Sequence, residues 1–210
     1  MLMKTINRTR ILAVEIRADR LGYAVFESPE QLLDFGSAWF DSMSVARSRI
    51  VKLLGRVRPS LIVLRQVRPH GPRRMAAWHA LTRMMRDEAK KRSIAIGCVT
   101  EKAFVEFFIR YSCQSKYDIA ALLATWFPET AWRLTAKREI YAPEPRAMLY
   151  FDSVALGIAY LRLVMTGPIF CTKWSVSVTP LLTFVRSRRR GCGDVGNGFG
   201  FPHLHAPVLE

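Results

Sequence analysis

Three strand-like runs within residues 10–40 constrain the fold of this 210-residue chain more than any other feature. The first, at 11–16, is apolar except for Glu15, the second lies at 21–26, and the third, at 32–40, alternates in part between apolar and polar residues. The turns between the runs are too short to hold a helix, so neighbouring runs must pair antiparallel. The pattern predicts a three-stranded antiparallel meander with a carboxylate close to the end of its first strand.

The chain beyond the meander alternates between helical and strand patterns. Apolar runs predict strands at 60–64 and 93–99, and periodicity predicts helices at 44–57 with Ser44 as its cap, at 75–92, just after Thr100, at 115–127 and at 148–165. Short, fully apolar strands are typical of a sheet that is covered on both faces. The sequence therefore predicts an α/β fold with a five-stranded mixed sheet, in which two parallel strands extend the antiparallel meander and helices cover both faces.

A formal net charge of +15 and a pI near 10.3 are the strongest compositional signals. Such an excess favours a polyanionic partner, either nucleic acid or an anionic membrane surface, over a basic surface that only faces solvent. The segment 167–210 combines a basic cluster at 186–190 with the Gly-rich run 191–200, and this composition cannot specify a core. We expect one folded domain over residues 1–166, which retains about +12 of the charge, and a flexible tail over 167–210.

Signals for export, membrane insertion and disulfide formation are weak in this sequence. The N-terminal basic residues precede only a short apolar run without a small-residue cleavage site, which predicts a cytoplasmic protein. The apolar window 154–170 is interrupted by Arg162 and by Gly167-Pro168, so a buried helix is favoured over a membrane span. The four cysteines are widely spaced and show no metal-ligand pattern, which predicts reduced thiols and no zinc site.

Four short stretches together resemble a known protein family. They are 12–16 with 22–25, 61–67, 116–119 and 152–159, and their order and spacing are similar to those of the RuvC-type Holliday-junction resolvases. The resemblance covers residues 10–163, and each of the four stretches is a short apolar run that contains a polar residue. It implies the ribonuclease H-like fold, which agrees with the predicted meander and alternating elements, and it implies a Mg²⁺-dependent endonuclease acting on branched DNA.

The resemblance also implies where a metal site would lie. In the family, four acidic positions hold two Mg²⁺ ions, which stabilise the attacking water and the leaving 3′ oxygen of the phosphodiester. By position, the first acid is Glu15 and the last is Asp152, so these two residues are the predicted metal ligands and catalytic acids. Lys116 stands at the family's basic position and is predicted to assist at the phosphate. Arg65 and Leu149 stand at the other two acidic positions.

The loss of two family acids weakens the predicted metal site. A cation at position 65 repels a metal ion and Leu149 cannot ligate one, so we expect Mg²⁺ to bind weakly or not at all. If Arg65 lies beside the remaining acids, we expect its guanidinium to pair with one or both of them. Asp19, Asp41 or Glu101 could substitute as ligands, although their spacing does not support it.

Two functions of different classes follow, and the sequence leaves both open. One is a metal-dependent endonuclease with Glu15, Asp152 and Lys116 at its centre. The other is a nucleic-acid-binding protein, structural or adaptor in role, that keeps the fold without the cleavage and uses Arg65 to contact a phosphate. A third alternative is an unrelated basic α/β domain that binds a protein or RNA.

The polar stretch after the strand at 60–64 and the helix at 75–92 supply the predicted partner contacts. The predicted nucleic-acid contacts are Arg65, Gln66, Arg68, Arg73, Arg74 and Lys116. The stripe of Trp and Met residues on the helix at 75–92 is suited both to core packing and to a homodimer interface. Nucleic acid, in particular branched DNA, is the predicted partner, and a homodimer through this helix is a second prediction.

Overall fold

A five-stranded mixed sheet forms the centre of the fold in the computed structural model, which describes residues 10–66, 71–137 and 144–165. The strands are β1 (Ile11–Ile16), β2 (Arg20–Ser28), β3 (Gln31–Trp39), β4 (Leu61–Gln66) and β5 (Ala95–Thr100). Their order is β3-β2-β1-β4-β5, with antiparallel pairing among β1, β2 and β3 and parallel pairing of β4 with β1 and β5. The predicted sheet, a meander extended by two parallel strands, is confirmed.

Helices cover both faces of the sheet, as predicted. They are α1 (Met43–Val57), α2 (Pro72–Lys91), α3 (Glu101–Ile109), α4 (Lys116–Trp126), a 3₁₀ helix (Pro128–Arg133) and α5 (Met148–Met165). Alternate strand residues point to opposite faces, so Leu12 and Val14 pack with α1 and α2, whereas Ile11 and Ala13 pack with α3, α4 and α5. Glu15 follows Ile11 and Ala13 in this alternation, so its side chain lies on the face of the sheet that α3, α4 and α5 cover.

The apolar helix α5 has the predicted bounds and packs against β1 and β2. Its middle is completely buried at Val154, Leu156 and Ile158. Gly157 allows the close approach, since a Cβ at this position would lie 2.2 Å from the ring of Phe26. Burial is worth roughly 1.5–3 kcal/mol for each large apolar side chain, which explains why this run is so apolar. Within the described part of the chain, no helix combines the length and the apolar character that a membrane crossing requires.

Several element boundaries differ from the predicted ones, and three of these differences have a local reason. Ser42, rather than Ser44, caps α1, because its side chain accepts a hydrogen bond from a backbone N–H of the first turn. α2 begins three residues early, at Pro72, since proline in the first helical turn has no N–H to leave unpaired. β4 continues through Gln66 in parallel register with β5, so Arg65 lies on the strand and not after it.

Some of the sequence predictions concern residues outside the described ranges. Arg68 and the basic, Gly-rich segment 167–210 lie there, so the flexible tail and the domain boundary at residue 166 stay predictions. On α2, Leu81 and Met85 are buried against the sheet, so this part of the apolar stripe belongs to the core. The homodimer through α2 likewise stays a prediction.

Candidate functional site

Glu15 lies near the end of β1 and is the most buried acid of the candidate site. It follows Ile11 and Ala13 on the face that α5 covers, and it is only 5% exposed. Its register partner on β2 is Gly22, and β4 runs parallel to β1 on the other side. Two neighbouring strands therefore fix this carboxyl group at a position with little access to water.

Asp152 reaches the same point from the second turn of α5. It is 6% exposed, and its Oδ2 accepts a hydrogen bond from Arg17 Nη2 at 2.6 Å. Lys116 Nζ, at the start of α4, lies 3.5 Å from the same oxygen. Asp152 is therefore held by two cations through charge-assisted contacts, which compensate for its burial.

Glu144, in the connection before α5, completes an ion-pair network. Its Oε1 lies 2.9 Å from Lys116 Nζ and 3.5 Å from Arg17 Nη2. Arg17 and Lys116 thus each contact both Glu144 and Asp152. Lys116 and Asp152 were predicted site residues, whereas Arg17 and Glu144 were missed, because a turn and a connector carry no periodic signal.

Arg65 stands beside Glu15 on the adjacent parallel strand, but its hydrogen bonds go elsewhere. The register pairs Val14 with Leu64, so the next residue of each strand lies at the site. Arg65 Nη1 is 3.9 Å from Glu15 Oε1, too far for a hydrogen bond. Its Nε and Nη2 donate to Glu101 at 2.9 and 2.7 Å, which makes a bidentate pair.

Arg65 thus forms the expected ion pair with Glu15, but the expected charge-assisted hydrogen bond to Glu15 or Asp152 was wrong. The planar fork of a guanidinium fits one carboxylate in a bidentate pair, and Glu101 at the start of α3 takes it. Arg17 makes the bond to Asp152 instead. Glu101, which had been considered as a substitute metal ligand, is the partner of a cation.

Leu149 occupies the position of one missing acid. It is 4% exposed and packs on Gly22, where a Cβ would lie 2.6 Å from the Leu149 carbonyl oxygen. Gly22 is the register partner of Glu15, so Leu149 lies next to the buried acid. The four positions taken from the family resemblance thus meet at one edge of the sheet, but only Glu15 and Asp152 carry carboxylates there.

The Glu15 carboxyl lacks the donors that Asp152 has. Its Oε2 is buried, and no donor in the described ranges hydrogen-bonds to it. Burial raises the pKa of Glu15 to about 7, and the negative charge of Asp152 acts in the same direction, against the opposing charges of Arg65, Arg17 and Lys116. Glu15 is therefore partly protonated near neutral pH and contributes less than a full negative charge to the site.

This donor set does not fit a Mg²⁺ site of the kind that the family resemblance implies. Among the residues that the structure describes, no three His, Cys, Asp or Glu side chains are grouped as metal ligands. Asp152 is engaged by Arg17 and Lys116, and Glu15 loses charge through burial. Mg²⁺ requires several hard oxygen ligands in near-octahedral geometry, and the cations already neutralise the oxygens present here.

The other predicted nucleic-acid contacts are exposed or lie outside the described residues. Gln66 is exposed at the end of β4, and Arg74 is exposed in the first turn of α2. Arg68 lies outside the described residues, as does the side chain of Arg73. The roles of these residues stay predictions.

The fold is similar to those of solved Holliday junction resolvases. RuvC of Thermus thermophilus in complex with a Holliday junction substrate has a TM-score of 0.55 and 12% identity, over 76% of this chain and 96% of that chain. The yeast mitochondrial Holliday junction resolvase Ydc2 has a TM-score of 0.51 and 10% identity, over 74% of this chain and 80% of that chain. No family model and no curated protein matches the sequence.

At these identities the likeness establishes the fold and nothing further. The class is the ribonuclease H-like fold, as the five-stranded mixed sheet already indicates. Within that class, the architecture is similar to those of the solved resolvases RuvC and Ydc2. Because one fold can carry many functions, the function of this chain has to be argued from its own residues.

Proposed function

We propose that this protein binds branched DNA through its RuvC-type fold and does not depend on Mg²⁺ to do so. The observation that carries the proposal is the set of cations Arg17, Arg65 and Lys116, which stands around the acids at the end of the central strands. A cluster of uncompensated carboxylates repels a phosphate until metal ions bind, whereas fixed cations remove that repulsion. DNA can therefore approach this edge of the sheet in the absence of metal.

The charge count at the site supports the proposal. Among the residues that the structure describes, three cations face four carboxylates, which are Glu15, Glu101, Glu144 and Asp152. The net charge is −1 when Glu15 is ionised and zero when it is protonated. Burial raises the pKa of Glu15 to about 7, so near neutral pH the site lies between these two values.

Most of the attraction for DNA comes from the face of the sheet that α1 and α2 cover. α1 carries four basic residues and no acid, and α2 carries six basic residues against two acids. The two helices together hold a net formal charge of +8, more than half of the +15 of the whole chain. Phosphate contacts from such a surface bind DNA at low salt without reading its sequence.

Binding of a fluorescently labelled four-way DNA junction, followed by anisotropy in Mg²⁺ and in EDTA at equal ionic strength, tests the proposal. We expect the same affinity in both conditions. Affinity should fall steeply with salt, with a log–log slope of about −0.9 for each phosphate neutralised. Binding that requires Mg²⁺, or no binding at low salt, would contradict the proposal.

A second candidate function, the metal-dependent endonuclease, is favoured by one observation. Glu15 and Asp152 converge beside Lys116, and no described donor hydrogen-bonds to Glu15 Oε2. Junction cleavage in Mg²⁺ or Mn²⁺ that is abolished by Asp152→Asn and retained by Asp87→Asn would establish the enzyme. Asp87 is the matched control because it is an exposed acid on α2, away from the site.

A further inference from the structure

Aromatic rings and arginines are interleaved at the edge of the sheet beside the candidate site. We call this group the aromatic–arginine cluster, and its members are Trp39, Trp132, Tyr150, Arg20, Arg133 and Arg146. They come from β2, from β3, from the 3₁₀ helix, and from α5 with the segment leading into it. The cluster adjoins the site, because the backbone N–H of Arg17, a site residue, donates to the backbone carbonyl of Arg20 at 2.8 Å.

Arg133 contacts two rings of the cluster. Its Cζ lies 3.8 Å from the centre of the Trp132 ring and 4.8 Å from that of Tyr150. Tyr150 is fixed to the sheet by Ser37, whose hydroxyl donates to the Tyr150 oxygen at 3.2 Å. The stack is therefore anchored at Tyr150, whereas Trp132 at its other end is 69% exposed.

Trp39 forms the second half of the cluster. Its ring centre lies 4.6 Å from Arg20 Cζ and 4.9 Å from Arg146 Cζ, and the residue is 38% exposed. Arg133 and Arg146 form no ion pair with any carboxylate in the described ranges. Each indole thus lies beside a guanidinium group that pairs with no carboxylate in the described part of the chain.

We infer that the aromatic–arginine cluster binds unpaired nucleobases of a single-stranded nucleic acid. An unpaired base can stack on an exposed indole, and neighbouring arginines can hold the adjoining phosphates and contribute cation–π attraction. Paired bases cannot use such a surface, because in a duplex their faces are stacked on one another. This binding mode rests on the proposed function, which brings the nucleic acid to this edge of the sheet.

Packing alone does not account for the arrangement. Trp132 has the greatest exposure among the large hydrophobic residues that the structure describes, ahead of Ile109 at 60%. An indole is one of the largest apolar side chains, and leaving it in water forgoes most of the free energy that its burial would provide. A base stacked on the ring would recover part of that free energy.

The test compares a labelled strand of thymidines with a fully paired duplex of the same length, by anisotropy at low salt. Trp132→Ala should weaken binding of the single strand about tenfold and leave duplex binding unchanged, since the lost stacking serves unpaired bases alone. Trp132→Phe keeps a ring and should recover most of the affinity. Ile109→Ala, at another exposed apolar residue on α3, is the matched control and should change neither affinity.

An equal loss of single-strand and duplex affinity in Trp132→Ala, or no loss of either, would overturn this inference. So would an unmodified protein that binds the duplex with the expected salt dependence but does not bind the single strand, and the proposed function would then still stand. An unmodified protein that binds neither the four-way junction nor the single strand would contradict the proposed function and this inference together.

Discussion

Two buried glutamates in different regions of the molecule, Glu88 on α2 and Glu15 on β1, differ in the sign of their pKa shifts. Their exposed fractions are almost the same, 4% and 5%. The pKa of Glu88 is lowered to about 2, whereas the pKa of Glu15 is raised to about 7. Two differences account for the opposite signs: desolvation is the largest cause of the shift at Glu15 but not at Glu88, and hydrogen-bond donors reach only the Glu88 carboxylate.

Glu88 is compensated because three cations donate hydrogen bonds to it. The bond from Arg92 contributes most to the lowered pKa, followed by that from Lys91, and Arg47 of α1 donates as well. These bonds outweigh the cost of desolvation. Glu88 is thus a structural link between α1 and α2, in the middle of the most basic surface of the fold.

Glu15 has cations near it but none that bonds to it. Arg65 is 3.9 Å away and donates to Glu101 instead. Burial and the charge of Asp152 therefore prevail, and the pKa of Glu15 rises. The contrast with Glu88 shows that nearby cations lower the pKa of a glutamate most when they donate hydrogen bonds to it and when its carboxyl is less desolvated.

The largest change in stability is expected from Glu88→Ala. It leaves three cations without their shared acceptor and should lower the free energy of unfolding by about 2 kcal/mol, a loss limited by the partial exposure of those cations. Because the pKa is lowered, the stabilisation by Glu88 is complete above the ordinary value of 4.5 and disappears as the pH falls towards about 2. Urea unfolding between acid and neutral pH measures both effects.

The neighbouring Asp87→Ala is the control for Glu88→Ala. Asp87 is exposed, so its loss should change the free energy of unfolding by less than about 0.5 kcal/mol. Equal losses in the two variants would mean that the link between α1 and α2 does not exist.

A smaller change, of opposite sign, is expected from Glu15→Gln. The variant removes a poorly compensated buried charge and should raise the free energy of unfolding by about 1 kcal/mol above neutral pH. In the unmodified protein the folded state keeps a proton that the unfolded state releases, so stability falls as the pH rises from 4.5 to about 7. Unfolding of the variant should lack this dependence. A variant less stable than the parent at every pH would contradict the comparison.

The smallest change in stability is expected from Arg65→Gln, about 0.5 kcal/mol, because its bonded partner Glu101 is half exposed. The pKa of Glu15 should nevertheless rise further, since the charge of Arg65 opposes its elevation. An NMR titration of labelled Glu carboxyl carbons measures this shift, with Arg83→Gln on α2 as the control. A Glu15 pKa that falls or stays unchanged would show that Arg65 does not act on it.

The periodicity of apolar residues in strands and helices made much of this arrangement predictable from sequence. The fully apolar run before Arg65 predicted a strand parallel to β1, and the register of the two strands places Arg65 beside Glu15. The apolar run around Asp152 predicted a buried helix, and α5 has the predicted bounds. Residues that lie within a periodic pattern of apolar residues can be assigned to a strand or helix from sequence, because burial in the core produces that periodicity.

Other parts of the site could not be predicted, because they lie in segments without a periodic pattern of apolar residues. Arg17 lies in the turn after β1 and Glu144 in the connector before α5, where many backbone paths are compatible with the sequence. Arg65 hydrogen-bonds to Glu101 because of the direction in which its side chain points, and periodicity does not predict that direction. A weak signal for Arg17 was its spacing of two residues from Glu15, which places both on one face of an extended strand.

The central claim is that fixed cations stand in place of metal ions at the end of the central strands. The most direct measurement is the shift in unfolding temperature of the unmodified protein between EDTA and Mg²⁺ at equal ionic strength, since a ligand that binds the folded state raises that temperature. We predict no shift, and a rise for the variant that combines Arg17→Gln, Arg65→Glu and Leu149→Asp, which removes the hydrogen bond from Arg17 to Asp152 and adds two acids to the site. A rise in the unmodified protein that Asp152→Asn abolishes would contradict the claim.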